Sequence, residues 1–387
     1  MLTTLAVKGY RSLRDLVVPL GPLTVVTGAN GTGKSSLYRA FALLAAGASG
    51  RLIGSLARAG GLSSVLWAGP ETVSGAMRRG EVEVQGTASR RAPVSLAMGF
   101  VGDDLGYLID VGLPAPDVST MFLRDPQVKR EVVFAAPVLR PASTLVQRTA
   151  RGVRVRQGRG WEDVGWRLAP HACLLDELAD PVHFPEVASV RAQVLRWRFY
   201  DSFRVDAGAP ARQPQVGTRT EVLSSDGADL ASAVQTILES AWAEPFAEAV
   251  GGAFEGARVS VTESLGRFQL EMRQAGMLRA LEASEWSDGT LRFVLLAAAL
   301  LSPQPPGLLV LNEPESSLHP DALAQLARLI RQATGRTQVV VVTHSRVLVA
   351  ALDGADVVAH ELVKDLGETR IAGQGLIGGA AWDWGRR

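Results

Sequence analysis

Cysteine and lysine are both scarce in this sequence. Cys173 is the only cysteine among 387 residues, which excludes an internal disulfide and makes a reducing cytosol the expected compartment. The basic residues are almost all arginine, and lysine occurs only at positions 8, 34, 129 and 364. This scarcity makes Lys34 conspicuous.

Long apolar runs and net charge are lacking as well. The longest apolar run, residues 293–301, is less than half of a membrane span and is typical of a buried helix. The N-terminus has the pattern of a short strand, not of a basic-then-apolar leader, so we expect no signal peptide and no membrane association. With a net charge of +1, any nucleic-acid contact has to come from a local patch.

The overall composition, 47% hydrophobic and 20% charged, is typical of a globular protein with an ample core. Strand-like runs at 2–7 and 23–27 precede a helical pattern at 34–46. The last third alternates strand and helix from residue 289 to residue 360, which predicts a parallel α/β layer.

The middle of the chain has a different pattern. Short alternating runs such as 81–86 and 106–112, separated by Gly, Pro and Asp, predict antiparallel hairpins. We therefore expect an α/β fold with a central, mostly parallel sheet and an antiparallel, β-rich and partly helical insertion. The expected boundaries are 1–60 for the first part of the α/β domain, 61–220 for the insertion and 221–387 for the second part.

The stretch GANGTGKSS, residues 28–36, fits the spacing G-x-x-x-x-G-K-[ST] between a predicted strand and a predicted helix. Its glycines allow a tight turn whose N–H groups point at phosphate oxygens, and the helix N-terminus adds partial positive charge. In this pattern Lys34 reaches the β- and γ-phosphates and the Ser35 hydroxyl binds Mg²⁺. The predicted nucleotide-binding residues are Gly28, Ala29, Asn30, Gly31, Thr32, Gly33, Lys34, Ser35 and Ser36.

A second apolar run, residues 308–311, ends in Asn312 and Glu313. In a phosphate-binding α/β fold such a strand end faces the same phosphates. Asn312 takes the metal-associated position, where its amide oxygen can accept a hydrogen bond but carries no charge. Glu313 takes the position of a carboxylate that polarises the attacking water.

Two further elements complete a candidate catalytic set. The buried run at 339–342 ends near His344, whose imidazole is suited to hydrogen-bond a γ-phosphate. Ser287 and Asp288 are good N-cap residues for the apolar helix that follows. Taken alone, His344 is as consistent with a structural role, and the Ser287 motif with an ordinary capped helix.

The order of these four motifs resembles the ABC class of P-loop ATPases. The opening VKGYRSLRDLVVPLGPLTVVTGANGTGKSSLYRA, the SDGTLR signature and the NEPESSLHP loop are similar to the RecF/SMC/OLD-like branch of stand-alone AAA family ATPases. The resemblance covers both ends of the chain well and the middle weakly. Asn312 departs from the Asp that is usual in that branch.

The resemblance implies ATP and Mg²⁺ as cofactors and a homodimer that sandwiches two ATP molecules. In such a dimer Ser287 and Gly289 act on the nucleotide of the other copy, Glu313 is the base, His344 is the switch, and Ser35 and Asn312 lie at the metal. No glutamine of the Q-loop type is identified, although Gln213 and Gln215 follow a plausible strand. The sequence has no long coiled coil, and no nuclease-like acidic domain follows residue 361.

Two functions are consistent with this resemblance. One is an ATPase in DNA maintenance or anti-phage defence, in which hydrolysis resets a clamp. The other is a nucleotide-dependent sensor or scaffold with little turnover that regulates a separately encoded effector protein. Arginines at 148–160, on a predicted hairpin, fit either DNA contact or a solvated surface. The run at 196–204 fits either a nucleic-acid surface or a half-buried strand with a salt-bridged loop.

Overall fold

A computed structural model describes residues 1–70, 75–79, 81–83, 95–115, 120–374 and 382–385. Its strands are β1 Leu2–Tyr10, β2 Leu13–Pro19, β3 Leu23–Gly28, β4 Leu96–Gly102, β5 Leu105–Gly112, β6 Gln127–Ala135, β7 Thr144–Thr149, β8 Gly152–Gln157, β9 Gly160–Asp163, β10 Trp197–Tyr200, β11 Gln215–Val216, β12 Arg258–Ser264, β13 Arg267–Arg273, β14 Leu281–Glu282, β15 Leu308–Asn312, β16 Gln338–Val342, β17 Val357–Asp365 and β18 Glu368–Ile371. Its helices are α1 Lys34–Gly47, α2 Leu52–Arg58, α3 Leu62–Val65, α4 Gly75–Arg78, α5 Leu174–Glu177, α6 Pro185–Leu195, α7 Leu230–Leu238, α8 Ala243–Ala253, α9 Asp288–Leu300, α10 Pro320–Thr334 and α11 Arg346–Leu352. Short 3₁₀ turns lie at Pro210–Arg212 and Ala283–Glu285.

The chain forms two compact units. Unit 1 comprises residues 1–21, 27–196 and 360–387, and unit 2 comprises residues 22–26 and 197–359. These limits differ from the expected division at 60 and 220. The reason is that β1 pairs with both β2 and β4, so the N-terminal strands belong to the same sheet as the strands assigned to the insertion.

Unit 1 contains an eight-stranded sheet in the order β2-β1-β4-β5-β6-β7-β8-β9, with every neighbouring pair antiparallel. All seven residues of β4 are buried, so both of its faces are covered. The predicted run at 106–112 falls within β5, as expected. Of the run at 81–86, residues 84–86 lie outside the described part of the chain. Residues 81–83 form no strand, because the Glu81 amide bonds back to Ala76 and closes a turn.

A buried charged pair lies within this sheet. The Glu131 side chain is 0% exposed and the Arg148 side chain 4%, with 2.9 Å between Oε2 and Nη1. Tyr107 donates its hydroxyl to Glu131 Oε1 at 2.5 Å, and the Leu174 amide donates to the same carboxylate. These donors offset the cost of burying the carboxylate, and they tie β5, β6 and β7 to the start of α5.

Unit 2 holds the predicted parallel layer. The strands β10, β15, β16 and β3 are neighbours in that order, and each pair is parallel. Every residue of β15 and β16 is buried, as expected for central strands covered on both faces. A small antiparallel group of β11, β13, β12 and β14 completes the unit. The predicted strand–helix alternation from 289 to 360 is therefore confirmed.

Candidate functional site

The loop between β3 and α1 has the conformation that its glycines predict. Gly28, Gly31 and Gly33 adopt positive φ angles of 144°, 80° and 103°. At Gly33 a Cβ atom would lie 2.4 Å from Thr369 Oγ1, so the position excludes every larger residue. The hydroxyl of Thr369, a residue of β18, also donates to the Thr32 carbonyl at 2.7 Å. This bond holds the loop in place within unit 1.

Lys34 is folded into this loop. Its side-chain nitrogen donates to the Gly28 carbonyl at 2.6 Å and to the Ala29 carbonyl at 3.0 Å, and the residue is 5% exposed. The positively charged Lys34 side chain is therefore hydrogen-bonded to the backbone of its own loop. Among the other predicted binding residues, Thr32 and Ser36 are buried, whereas Ala29, Asn30, Gly31 and Ser35 are exposed.

In unit 2, β15 ends in a polar cluster. The Asn312 Nδ2 donates to Asp201 Oδ1 at 2.6 Å, and Asp201 directly follows β10, the parallel neighbour of β15. The other amide atom, Asn312 Oδ1, is buried and has no hydrogen-bond partner within the described residues. A buried acceptor without a partner costs about 1–3 kcal/mol, so this atom is poised to accept a bond from a bound group.

Glu313 adopts a backbone conformation that is unusual for a residue with a side chain. Its φ is +47°, a left-handed value that persists only where the surroundings enforce it. Its amide donates to the Val342 carbonyl at 2.7 Å, and its carbonyl accepts from Arg292 Nη2 at 3.2 Å. The side chain is 38% exposed, with Oε1 at 3.5 Å from His344 Nδ1.

Glu315 is more constrained than Glu313. Its Oε1 accepts the Thr343 hydroxyl at 2.6 Å and the amides of His344 and Ser345 at 3.1 and 3.2 Å. The side chain is 6% exposed. Glu315 therefore fixes the loop after β16, and with it the backbone that carries His344, whose own side chain is 52% exposed.

Arg292 connects the signature helix to the strand end. Its Nη2 lies 3.3 Å from the Asp201 carbonyl and 3.2 Å from the Glu313 carbonyl, and the residue is 6% exposed. Burial lowers the pKa of Arg292, and the nearby carboxylates of Asp201, Glu315 and Glu313 oppose that shift. Arg292 therefore joins α9 to the backbone that directly follows β10 and β15.

The two predicted signature residues lie at the start of α9. Ser287 caps the helix, because its Oγ accepts the Thr290 amide at 3.1 Å, and it is exposed. Gly289 lies so close to the loop after β15 that a Cβ atom would stand 2.6 Å from the Ser317 carbonyl. Ser287 is therefore accessible at the helix start, whereas Gly289 is packed against the loop after β15.

Sequence reasoning missed Asp201 and Arg292, and it treated Glu315 only as the next candidate base after Glu313. The signals were present: Asp201 directly follows a strand-like run, and Arg292 lies within the signature stretch. Of the two glutamines, Gln215 is 8% exposed, and its side chain accepts the Ala231 amide at 2.7 Å, so it is committed to α7.

The structure shows what the arginine-rich segments 148–160 and 196–204 form. The hairpin at 148–160 is confirmed as β7 and β8, and its Arg154 and Arg156 lie 5.2 and 5.0 Å from the Trp161 ring centroid. The segment 196–204 contains β10, and Arg204 forms a 2.9 Å ion pair with Asp206. A strand followed by a salt-bridged loop is thus the correct interpretation of that segment.

The donor set of the described residues suits a cation that is held mainly by phosphate oxygens. No group of three or more His, Cys, Asp or Glu able to hold a metal occurs in the described part of the chain. Mg²⁺ commonly takes one or two protein ligands together with water and substrate phosphates. Within unit 1 the exposed Ser35 hydroxyl is a suitable ligand, and within unit 2 the unpartnered Asn312 Oδ1 is a separate candidate acceptor. Among the described residues, no helix has the length and apolar character of a membrane span.

Comparisons with known proteins agree with this architecture. A 44-residue segment is 50% identical to an OLD nuclease of Thermus scotoductus, covering 11% of this chain and 8% of the nuclease. The match thus covers less than a tenth of that relative's length. A crystal structure of the SmcHead bound to the C-winged helix domain of ScpA matches 97% of this chain and 98% of its own, with 14% identity and a TM-score of 0.51. An SMC head domain from Thermotoga maritima matches 97% of this chain and 99% of its own, with 14% identity and a TM-score of 0.44.

The fold is therefore that of an ABC-type P-loop ATPase head, as the motif order predicted. A family model described as "AAA domain, putative AbiEii toxin, Type IV TA system" matches residues 23–350, which include the loop between β3 and α1, α9, β15 and β16. The match extends over most of the sequence, and the chain belongs to this family of AAA domains.

Proposed function

We propose that this protein is an ATPase whose two copies bind two molecules of Mg·ATP between them. The observation that carries the proposal is the loop before α1, where three glycines of positive φ surround Lys34. In the same chain Glu313 directly follows β15, with a side chain that is 38% exposed and a backbone conformation that its surroundings enforce. The family and the fold support nucleotide binding.

In this proposal the loop binds the phosphates. Its backbone N–H groups and the N-terminus of α1 supply partial positive charge, and Lys34 exchanges its carbonyl partners for the β- and γ-phosphate oxygens. The Ser35 hydroxyl would hold Mg²⁺ beside this loop, and a bound Mg²⁺ would neutralise charge on the phosphates.

Asp201 acts as a positioning residue. By accepting from Nδ2 at 2.6 Å it fixes which way the Asn312 amide faces, so that Oδ1 is the atom that would accept a hydrogen bond from a bound group. The end of β15 lacks the negative charge of the usual aspartate, but Asp201, after the neighbouring strand β10, carries one. We therefore interpret Asn312 as a working variant of the usual aspartate and not as a sign of decay.

Glu313 is the proposed general base, in preference to Glu315. A base needs a carboxylate oxygen that can reach water, and Glu313 is 38% exposed whereas Glu315 is 6% exposed. Glu315 already accepts three donors on one oxygen. His344, 3.5 Å from Glu313, is suited to hydrogen-bond the γ-phosphate and to report its presence.

The dimer is proposed because Ser287 is exposed at the start of α9, with Gly289 two residues further on. In the sandwich they contact the γ-phosphate that the partner copy holds. Arg292, on the same helix, bonds the Glu313 carbonyl, so a nucleotide at the helix start is coupled to the position of the base.

Roles in DNA maintenance or anti-phage defence are supported by the names of the relatives alone. The alternative is a nucleotide-dependent sensor that has little turnover of its own and regulates a separate effector protein. Asn312 supports this alternative, because the usual aspartate would add a carboxylate that β15 lacks. The two are separated by steady-state ATP turnover with and without DNA: DNA-stimulated turnover favours the first, and tight binding without turnover favours the second.

The test of the proposal uses two variants. Lys34→Ala removes the ammonium placed against the loop and should abolish ATP binding in a fluorescent-nucleotide titration. Glu313→Gln keeps the shape but not the base, so turnover should fall by about 10²-fold or more while ATP binding is retained. Unchanged affinity in Lys34→Ala would remove the phosphate-loop assignment. Wild-type turnover in Glu313→Gln would place the base elsewhere.

A further inference from the structure

Two hydroxyl groups from distant parts of unit 1 hold the loop between β3 and α1. The Thr369 hydroxyl donates to the Thr32 carbonyl at 2.7 Å, and the Thr369 amide donates to the Ser12 carbonyl at 2.8 Å. Thr369 is 1% exposed, so water does not compete for these bonds. Ser12 and Thr369 both lie outside residues 23–350, the part of the chain that matches the AAA domain family.

The chemistry of the two hydroxyl groups fixes the order of their hydrogens. A hydroxyl group has a single hydrogen, and a carbonyl oxygen can only accept. Because Thr369 uses its hydrogen on the Thr32 carbonyl, the 2.8 Å contact between Ser12 Oγ and Thr369 Oγ1 is made with the hydrogen of Ser12. The result is a chain of two hydrogen bonds that ends on the loop, and each bond polarises the next.

This chain sets the direction of one amide of the loop. The Thr32 carbonyl and the Gly33 N–H belong to the same planar trans peptide, so they point in opposite directions. A carbonyl that is held toward Thr369 therefore turns the Gly33 N–H away from Thr369. Within the described residues the Gly33 amide donates to no acceptor. An N–H without a partner, in a glycine-rich loop directly before a helix, is suited to donate to a phosphate oxygen.

Gly33 leaves the space that the two hydroxyl groups occupy. A Cβ atom at this position would lie 2.4 Å from Thr369 Oγ1 and 3.0 Å from Ser12 Oγ. Any side chain at residue 33 would therefore push both hydroxyls away from the loop. The glycine and the two hydroxyls depend on one another.

We infer that Thr369 is a positioning residue for the nucleotide. Through Thr32 it orients the Gly33 amide toward phosphate oxygens, and Ser12 supports it from behind. This inference rests on the proposed function and deepens it, because it concerns the same loop. It assigns a share of the affinity for ATP to a hydroxyl that does not itself touch the nucleotide.

The experiment compares substitutions of Thr369 in the full chain. Thr369→Val removes the hydroxyl at nearly constant volume, and Thr369→Ser retains it. The matched control is Thr337→Val, which removes from unit 2 another buried threonine hydroxyl that donates to a backbone carbonyl, that of Pro306. Each protein is titrated with a fluorescent ATP analogue in the presence of Mg²⁺, and its thermal unfolding is recorded with and without ATP.

We expect Thr369→Val to raise the Kd of the analogue by about 5- to 10-fold, the change that one lost hydrogen bond produces. Thr369→Ser should stay within about 2-fold of wild type, and Ser12→Ala should raise Kd by about 3-fold at most, because the bond to Thr32 remains. Thr369→Val and Thr337→Val should both lower the unfolding midpoint without ATP. The increase in midpoint that ATP causes should shrink in Thr369→Val alone.

Several outcomes would overturn the inference and leave the proposed function intact. One is a wild-type Kd in Thr369→Val, or an ATP-induced increase in midpoint that equals that of wild type, which would give Thr369 a structural role only. Another is an equal loss of affinity in Thr337→Val. A loss in Thr369→Ser as large as in Thr369→Val would show that packing, and not the hydroxyl, matters. Wild type that binds no ATP would remove the proposed function itself, and the inference with it.

Discussion

Replacing Asn312 by Asp tests the polar cluster at the end of β15. The substitution restores the residue that is usual in related ATPases, yet the structure predicts that it destabilises this protein. Asn312 Nδ2 lies 2.6 Å from Asp201 Oδ1, so the variant places two carboxylate oxygens at hydrogen-bond distance with no hydrogen between them. The charge-assisted bond is lost and a repulsion takes its place.

The magnitude follows from that distance. At 2.6 Å two unit charges repel by about 1.6 kcal/mol in the dielectric of water and by about 6 kcal/mol at a dielectric of 20. Asp201 is exposed, so solvent screening favours the lower figure. With about 1 kcal/mol for the lost hydrogen bond, we expect the free energy of unfolding to fall by about 2–3 kcal/mol at pH 7.

The decisive comparison is the exchanged pair Asp201→Asn/Asn312→Asp. It restores one carboxylate and one amide in reverse order, so stability should return to within about 1 kcal/mol of wild type. Urea unfolding of the four proteins measures this, and the loss in Asn312→Asp should shrink at pH 4, where a proton can bridge the two carboxyl groups. The exchanged pair should also need less Mg²⁺ for nucleotide binding, because its charge lies on β15. Full stability of Asn312→Asp at pH 7 would refute the reasoning.

Three further predictions concern other parts of the chain. Mixing Ser287→Arg with Lys34→Ala should recover part of the ATPase activity, since one composite site of a heterodimer stays intact; no recovery in mixtures shown to contain heterodimers would mean that each copy acts alone. Glu315→Gln should lower the midpoint of thermal unfolding, because its Oε1 accepts three donors as a carboxylate, and a midpoint equal to wild type would contradict its structural role. Arg148→Ala leaves Glu131 buried without its countercharge and should reduce the free energy of unfolding by about 3–5 kcal/mol in urea titrations; a loss below about 1 kcal/mol would show that the pair is dispensable.

Some features were accessible from sequence because they depend on residues close together in the chain. The glycine spacing of residues 28–33 sets a backbone path that a few consecutive residues determine. The same holds for Ser287 as the cap of α9, which involves an atom three residues away. Continuous apolar runs predicted β15 and β16, because a strand that is buried on both faces has to be apolar throughout.

The domain limits were harder to predict for a physical reason. Pairing of β1 with β4 joins Leu5 to Phe100, and no local pattern records which distant strand a β-strand selects. The sequence could identify the strands of the eight-stranded sheet one by one, but not the fact that the first of them continue the sheet assigned to an insertion.

The chemistry around Asn312 shows the same division. The sequence by itself determined that an amide, followed by a carboxylate, ends a buried strand near a phosphate-binding motif. Only the tertiary structure decided that Asp201, 111 residues away, faces that amide, because this depends on the parallel register of β10 and β15. It also decided that Glu313 is open to water while Glu315 is buried under the loop after β16. The exposure of a side chain and its hydrogen-bond partners depend on packing, and the adjacent residues in the sequence do not determine them.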